Sequence, residues 1–384
     1  MKSMLLLALS IALSFPIGSV DPQALTVALN APETEFVRLS DDRYPVLRDA
    51  DDIPERAFAR LVSAVRLGDG SLVLAEAQSR ELRHFAPSGA FLATLAKRGR
   101  GPGEFEGFAW VSRLARDTLV VYDRTQRRVS LLTSGGVGRQ WSLSDLGQFD
   151  TPVDAVGFGA KGELVLRRTL STPTASGAAR SEDELFAIQL ASGQRRVIAA
   201  IRGDEVFSRA SSQGRRVLAS PPFRRQTFVA VASAGIAIGD SETGALTLSP
   251  AAASSTRDIL VSDGDRSLTE VGVRARLDFL WGDRASDRRA DWELLQREML
   301  DGALFPAFAG LYLTDDGEVW VRHFERTLVH RQRWTVLDQR GRIRGRFELP
   351  GRCILTQVAD QTVTCVGESD EGRVFVRSLR LPSP

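Results

Sequence analysis

The sequence predicts an all-β chain, a six-bladed β-propeller with four-stranded blades, on three observations. A turn followed by a short apolar run recurs six times along the 384 residues. Where the recurrence is regular its unit is about 45 residues, the size of a propeller blade holding several short strands. Both ends of the repeating region read as lone strands that would complete one blade together and leave no free edge at the junction.

The turns come in order as Asp69-Gly70 before SLVLAEA, Arg116-Asp117 before TLVVYDR, and Lys161-Gly162 before ELVLRRT. Ala234-Gly235 before IAIGDS, Asp316-Gly317 before EVWVRHF, and Asp360-Gln361 before TVTCVGE follow. Measured between 70, 117, 162, 235, 317 and 361, the spacings are 47, 45, 73, 82 and 44 residues. The first unit spells out four strands, at 61–67, 72–75, 82–85 and 91–95, separated by turn chemistry. A strand near 35–39 precedes it, and the last unit ends at 374–381, so these two are expected to close the ring. A β-sandwich followed by a second domain is the alternative, and it requires no six equivalent turns.

Ahead of the repeat, Lys2 and the apolar run 4–15 fit a signal peptide over about residues 1–20. That run is too short to cross a bilayer as a helix, and no later stretch is long and apolar enough. The protein is therefore expected to be exported, periplasmic or extracellular, with the propeller over 33–383. The formal net charge of +2 is spread along the chain without a basic block, which argues against nucleic acid as a partner. The two cysteines, Cys353 and Cys365, flank a hairpin connection at 358–360. An oxidising compartment would let them join; otherwise they are a pair of small buried thiols.

In a four-stranded blade the first-to-second and third-to-fourth turns share one face, and the second-to-third turns and blade crossovers share the other. The segments 169–183, 202–222 and 262–304 carry the excess length and all read as connections on that second face, which marks it as the expected binding side. Within an insertion at about 265–304, between blades four and five, Ser286 caps a helix expected over 287–300 with Trp292, Leu295 and Met299 on one stripe. That stripe either packs on the rim or forms a lid. The sixth residue after each turn, among them Glu76, Asp123, Ser241 and His323, ends the second strand at the same face, with Asp240 alongside. Candidate binding residues are thus Arg98, Arg100, Asp123, Asp240, Trp281, Trp292 and His323, although Asp at such turns commonly bonds to backbone amides instead.

Lys97-Arg98-Gly99-Arg100-Gly101-Pro102-Gly103-Glu104-Phe105, then LVVYDRTQRRV and a Ser134-Gly135 turn, resembles the NHL-type and related bacterial six-bladed propellers. The resemblance implies a fold shared by interaction proteins and by some enzymes, including lactonase-like hydrolases and lyases that hold Ca²⁺ or Zn²⁺ in the channel. Calcium takes six to eight oxygen ligands, and the single asparagine, Asn30, lies outside the blades. Zinc would need several of the three histidines, two of which fall in one unit. No nucleophile elbow is present. The expected function is binding of a protein, peptide or glycan by a monomer at the loop-rich face over the channel, without a cofactor; a metal-dependent hydrolase or lyase is the alternative.

Overall fold

The computed structural model describes residues 24–50, 53–133, 135–173, 176–210, 216–219, 223–253, 255–267, 271, 304–325, 331–369 and 371–382. The expected signal peptide, the helix over 287–300, Trp281 and Trp292 lie outside them.

Six sheets, antiparallel in their first four strands, surround a central channel, and in each the inner strand leads through a tight turn into the second. The inner and second strands are Leu61–Arg66 and Leu72–Glu76 in blade one, Phe108–Arg113 and Leu119–Asp123 in blade two, and Val153–Phe158 and Glu163–Ser171 in blade three. They are Thr227–Ala232 and Gly235–Asp240 in blade four, Gly310–Leu313 and Val319–Arg322 in blade five, and Cys353–Ala359 and Thr362–Glu368 in blade six. Turn chemistry explains the sharpness of these connections. In the first, the Asp69 carboxylate accepts from the Ser71 amide and hydroxyl, while Gly70 takes φ +86°, a conformation that favours glycine.

Second strands are sandwiched between neighbouring blades and are therefore apolar on both faces rather than alternating. Val121 faces blade one and Val120 faces blade three, and each is fully buried. One core cluster fills each of the six seams. Trp320, Trp334, Leu349, Cys353 and Cys365 fill the seam between blades five and six, and Leu47, Phe58, Leu74, Phe85 and Val366 the seam between six and one. The seam between blades three and four is the thinnest. Among the described residues five buried apolar side chains fill it, Val165, Leu185, Ile201, Ile236 and Ile238, with Val156, Ile198, Val229 and Val231 partly buried against them, while nine or more buried ones fill each of the others.

Three expectations are corrected. Blades are not uniformly four-stranded: in five of the six the described sheet has a fifth strand, and only blade two stops at four. The segment near 35–39 does not finish the last blade. Val37–Arg38 instead pairs in parallel with Ile343–Pro350 of blade five, while Ser40–Asp41 and Leu47–Arg48 pair with Val374–Arg380 of blade six. Upstream, Leu25–Ala28 adds in parallel to Arg257–Ser262 of blade four, so residues 25–48 form a strap along the outer edges of three successive blades. Finally, much of the excess length of blade three is strand, not loop. Gly177–Gln189 and Arg195–Ala210 form a long ribbon that rises past the blade, with Arg180 opposite Glu205 and Glu182 opposite Arg202. Its outer stretch, 177–184, is rich in polar and small residues, so it lacks the alternation that marks a strand, while Leu185, Phe186 and Ile188 nearer the blade are buried.

Cys353 and Cys365 are joined by a disulfide, Cα–Cα 5.5 Å, between the inner and second strands of blade six. A bulge between Leu355 and Gln357 sets Cys353 opposite Gly367 and Cys365 opposite Leu355, so the bond runs diagonally across the pair.

Candidate functional site

Each inner strand is the last in its sheet, so six backbone edges with unpaired amide and carbonyl groups face the channel. Side chains of neighbouring blades satisfy several of them and so stitch the ring. Ser63 Oγ donates to the Val111 carbonyl, Trp110 Nε1 to that of Ala155 and Thr356 Oγ1 to that of Ala64. Gln357 both accepts from the Arg66 amide at 2.7 Å and donates to its carbonyl at 3.1 Å. The Val358 amide donates to the Tyr312 hydroxyl, and the Ser233 amide to the Asp315 carboxylate. Among the described residues no such bridge joins the inner strands of blades three and four. There Gly157 lets the two approach: a Cβ on it would sit 2.5 Å from the Val231 Cβ.

A cavity of about 280 Å³ occupies the channel, with all six inner strands in its wall. It runs toward the hairpin face, since its lining extends from mid-strand residues such as Trp110 and Val229 to Gly159, Ser233, Asp315 and Ala359 at the first turns. The walls combine apolar side chains, Val65, Val111, Val156, Phe158, Val231 and Leu311, with a comparable polar share from side chains and backbone. Ser112 is exposed within the cavity, Arg113 is paired with Asp360 at 3.0 Å, and burial pushes the Tyr312 hydroxyl up to about 12, so that it stays protonated and able to donate. Asp315 is the carboxylate of this lining, and Ser233 holds it through both amide and hydroxyl. Such a wall can enclose an apolar body and orient a few polar atoms; it presents no acid and base pair.

The sequence-predicted residues sit elsewhere, at the crossover face. Asp123 is fully buried and accepts from the amides of Glu106 and Gln126, tying the crossover from blade one to the turn of blade two. Glu76 does the same one blade earlier with the amides of Arg60 and Ser79. His323 is 3% exposed, bonds through Nε2 to the Thr335 hydroxyl at 2.8 Å, and packs edge-on against Phe36 of the strap. Burial, with Arg333 and Arg346 nearby, drives its pKa down to about 3, so the ring is neutral and structural. Arg98 ends an outer strand in solvent, and Arg100 extends into solvent and pairs with Glu106 at 3.1 Å. The glycine-rich loop beside them turns its carbonyls of Gly99, Arg100 and Gly101 toward Gln126 and Arg128, while its Gly101 amide is taken by Glu104. It is a braced crossover.

Asp240 belongs to a charge cluster that the sequence reading did not assemble. Arg180, with a side chain 1% exposed, donates to Asp240 Oδ1 at 2.7 Å, Glu242 Oε2 at 2.9 Å, the Thr227 hydroxyl and the carbonyls of Gly203 and Arg202. Arg202 and Arg225 also reach Glu242, and Arg225 pairs with Glu205. The cluster fastens the ribbon of blade three onto blade four. Its only trace in the sequence is local charge density around Arg180, Arg202 and Arg224-Arg225.

Burial raises the Glu242 pKa, but the Arg180 bond and the charges of Arg225 and Arg202 outweigh it and hold the group below its usual 4.5. A depressed folded-state pKa contributes stability above the unfolded value that is lost as pH falls through the folded one. Denaturant midpoints are therefore expected to drop as pH is lowered below about 4.5, and Glu242→Gln is expected to flatten that limb. An unchanged acid limb in Glu242→Gln would remove Glu242 from the linkage.

No protein-family model matches the sequence, and neither does any curated protein. Solved structures resemble the chain over nearly its whole length. A member of the DUF4221 family from Bacteroides vulgatus has a TM-score of 0.50 at 10% identity, with 91% of this chain and 99% of that one covered. A putative exported protein from Bacteroides fragilis has 0.49 at 10%, with 94% and 99% covered. A gluconolactonase from Xanthomonas campestris has 0.45 at 10%, with 89% and 91% covered. At such identities the likeness concerns the fold alone.

Proposed function

We propose that the chain is an exported propeller that works by binding a ligand in its central channel rather than by catalysis. The observation that carries this reading is the cavity itself: six inner strands enclose about 280 Å³ of concave space whose walls join apolar side chains to a comparable share of polar groups able to orient a ligand. Export is supported by the basic-then-apolar N-terminus and by the disulfide, a bond that persists in oxidising compartments. No helix among the described residues is long and apolar enough to cross a membrane.

A lactonase-like metal reading asks the channel for a convergent set of oxygen or nitrogen ligands. Among the described residues no group of three or more His, Cys, Asp or Glu side chains is arranged to hold a metal ion, and Asp315 in the channel wall is already held by Ser233. Among the described residues the channel lining supplies one carboxylate residue, Asp315, which speaks for the binding reading, since calcium takes six to eight oxygens.

Ser112 is exposed on an inner strand in the wall of the cavity, so Ser112→Trp adds bulk there without replacing a buried side chain. With anilinonaphthalene sulfonate as the probe of the cavity, affinity is expected to fall at least about tenfold, roughly 1.4 kcal/mol, with the circular dichroism spectrum unchanged. Equal dye binding by the wild type and Ser112→Trp would overturn the channel as the site.

A further inference from the structure

We infer that the channel cavity is the inner end of a longer groove that takes an extended peptide segment, laid from the channel outward between blades three and four on the hairpin face. This rests on the channel reading and adds the ligand's class and path. A second cavity of about 370 Å³ lies between these two blades, and Gly159 and Ala232 stand in the walls of both, so the two spaces meet at the rim of the channel. The groove opens there for a physical reason. Among the described residues the seam between blades three and four has the fewest buried apolar side chains, and no side-chain-to-backbone bridge joins its inner strands, which meet at Gly157 and Val231 instead.

The chemistry of the walls selects a polypeptide in extended form. Within the channel, Val153–Phe158 and Thr227–Ala232 each have a backbone edge on the side away from their sheet. Such an edge recognises another extended backbone through main-chain hydrogen bonds, with apolar pockets receiving alternate side chains. This chain already uses its sheet edges in that way, since Leu25–Ala28 is added in parallel to the outer edge of blade four. The outer cavity is walled by Val165, Ile198 and Ile236 on one side of its chemistry and by Ser249, Ser255 and Thr256 on the other. Its charged members, Glu163 and Arg196, neutralise each other at 2.8 Å. With those two charges paired, a highly charged ligand finds no matching array there, whereas an uncharged extended strand finds apolar wall for its side chains and hydroxyls for its backbone.

The test uses a library of random linear peptides displayed on phage, panned on the full protein, with the recovered sequences resynthesised carrying fluorescein. Two single variants divide the groove. Ser112→Trp blocks the channel, and Ala253→Trp, from an exposed position in the wall of the outer cavity, blocks the cleft. Recovered peptides are expected to lose at least about tenfold in affinity with either variant, while the dye is lost with Ser112→Trp alone. Methylating the peptide's backbone nitrogens one at a time is expected to weaken binding at every second position, the signature of strand pairing. If no peptide is recovered that distinguishes wild type from Ala253→Trp, or if methylation shows no alternation, the peptide inference falls, and dye loss in Ser112→Trp still leaves the channel standing. If the dye ignores Ser112→Trp, the channel reading falls as well.

Discussion

Arg180→Met is expected to destabilise the protein by about 3–5 kcal/mol, the cost of leaving buried carboxylates without their cation. Arg180 is almost wholly enclosed, and it contacts Asp240, Glu242 and Thr227 of blade four while bonding to two carbonyls of its own ribbon. Methionine keeps much of the volume and removes the charge. Asp240 would then keep the Glu242 amide but lose its cation, with a side chain only 6% exposed. Because the loss comes from an uncompensated charge rather than from packing, adding Asp240→Asn to Arg180→Met is expected to return part of it. Urea unfolding of the two variants and the wild type reads both effects. A loss under about 1 kcal/mol for Arg180→Met would mean that the cluster is a solvated surface network, for which such values are usual.

The second large effect is expected at the disulfide. Cys353 and Cys365, twelve residues apart, close a short loop and sit fully buried in the seam between blades five and six. Constraining a loop of that size in the unfolded chain contributes about 3 kcal/mol. The double variant Cys353→Ala with Cys365→Ala is expected to unfold at correspondingly lower urea and to retain the sheet spectrum. Intact mass under non-reducing conditions checks the premise in protein recovered from an oxidising compartment. Free thiols there, or an unchanged midpoint in the double variant, would remove both the stabilisation and the support that the bond lends to export.

Only part of the site was legible. Turn chemistry at Asp69-Gly70 or Asp316-Gly317 acts over a few residues, and the six turns it marks are the six inner connections of the structure. The strap was not legible in the same way. Strands as short as Val37–Arg38 carry no periodicity of their own, and the partner of Leu25 is Ile259, far along the chain. Asp123 and His323 stood out as polar residues at strand ends, yet a residue's position says nothing about whether its polar atoms are already taken. Asp123 is occupied by two amides and His323 by Thr335.

The order of strands, the six-fold recurrence and the tight turns belong to local sequence, because propensity and turn geometry are decided by neighbours in the chain. Which edges the strap covers, which seam is thin, and where the cavity opens were decided by tertiary packing. Those features depend on side chains from separate blades meeting across the ring, such as Gly157 against Val231 or Gln357 against Arg66, and no short stretch of sequence contains both halves of such a contact.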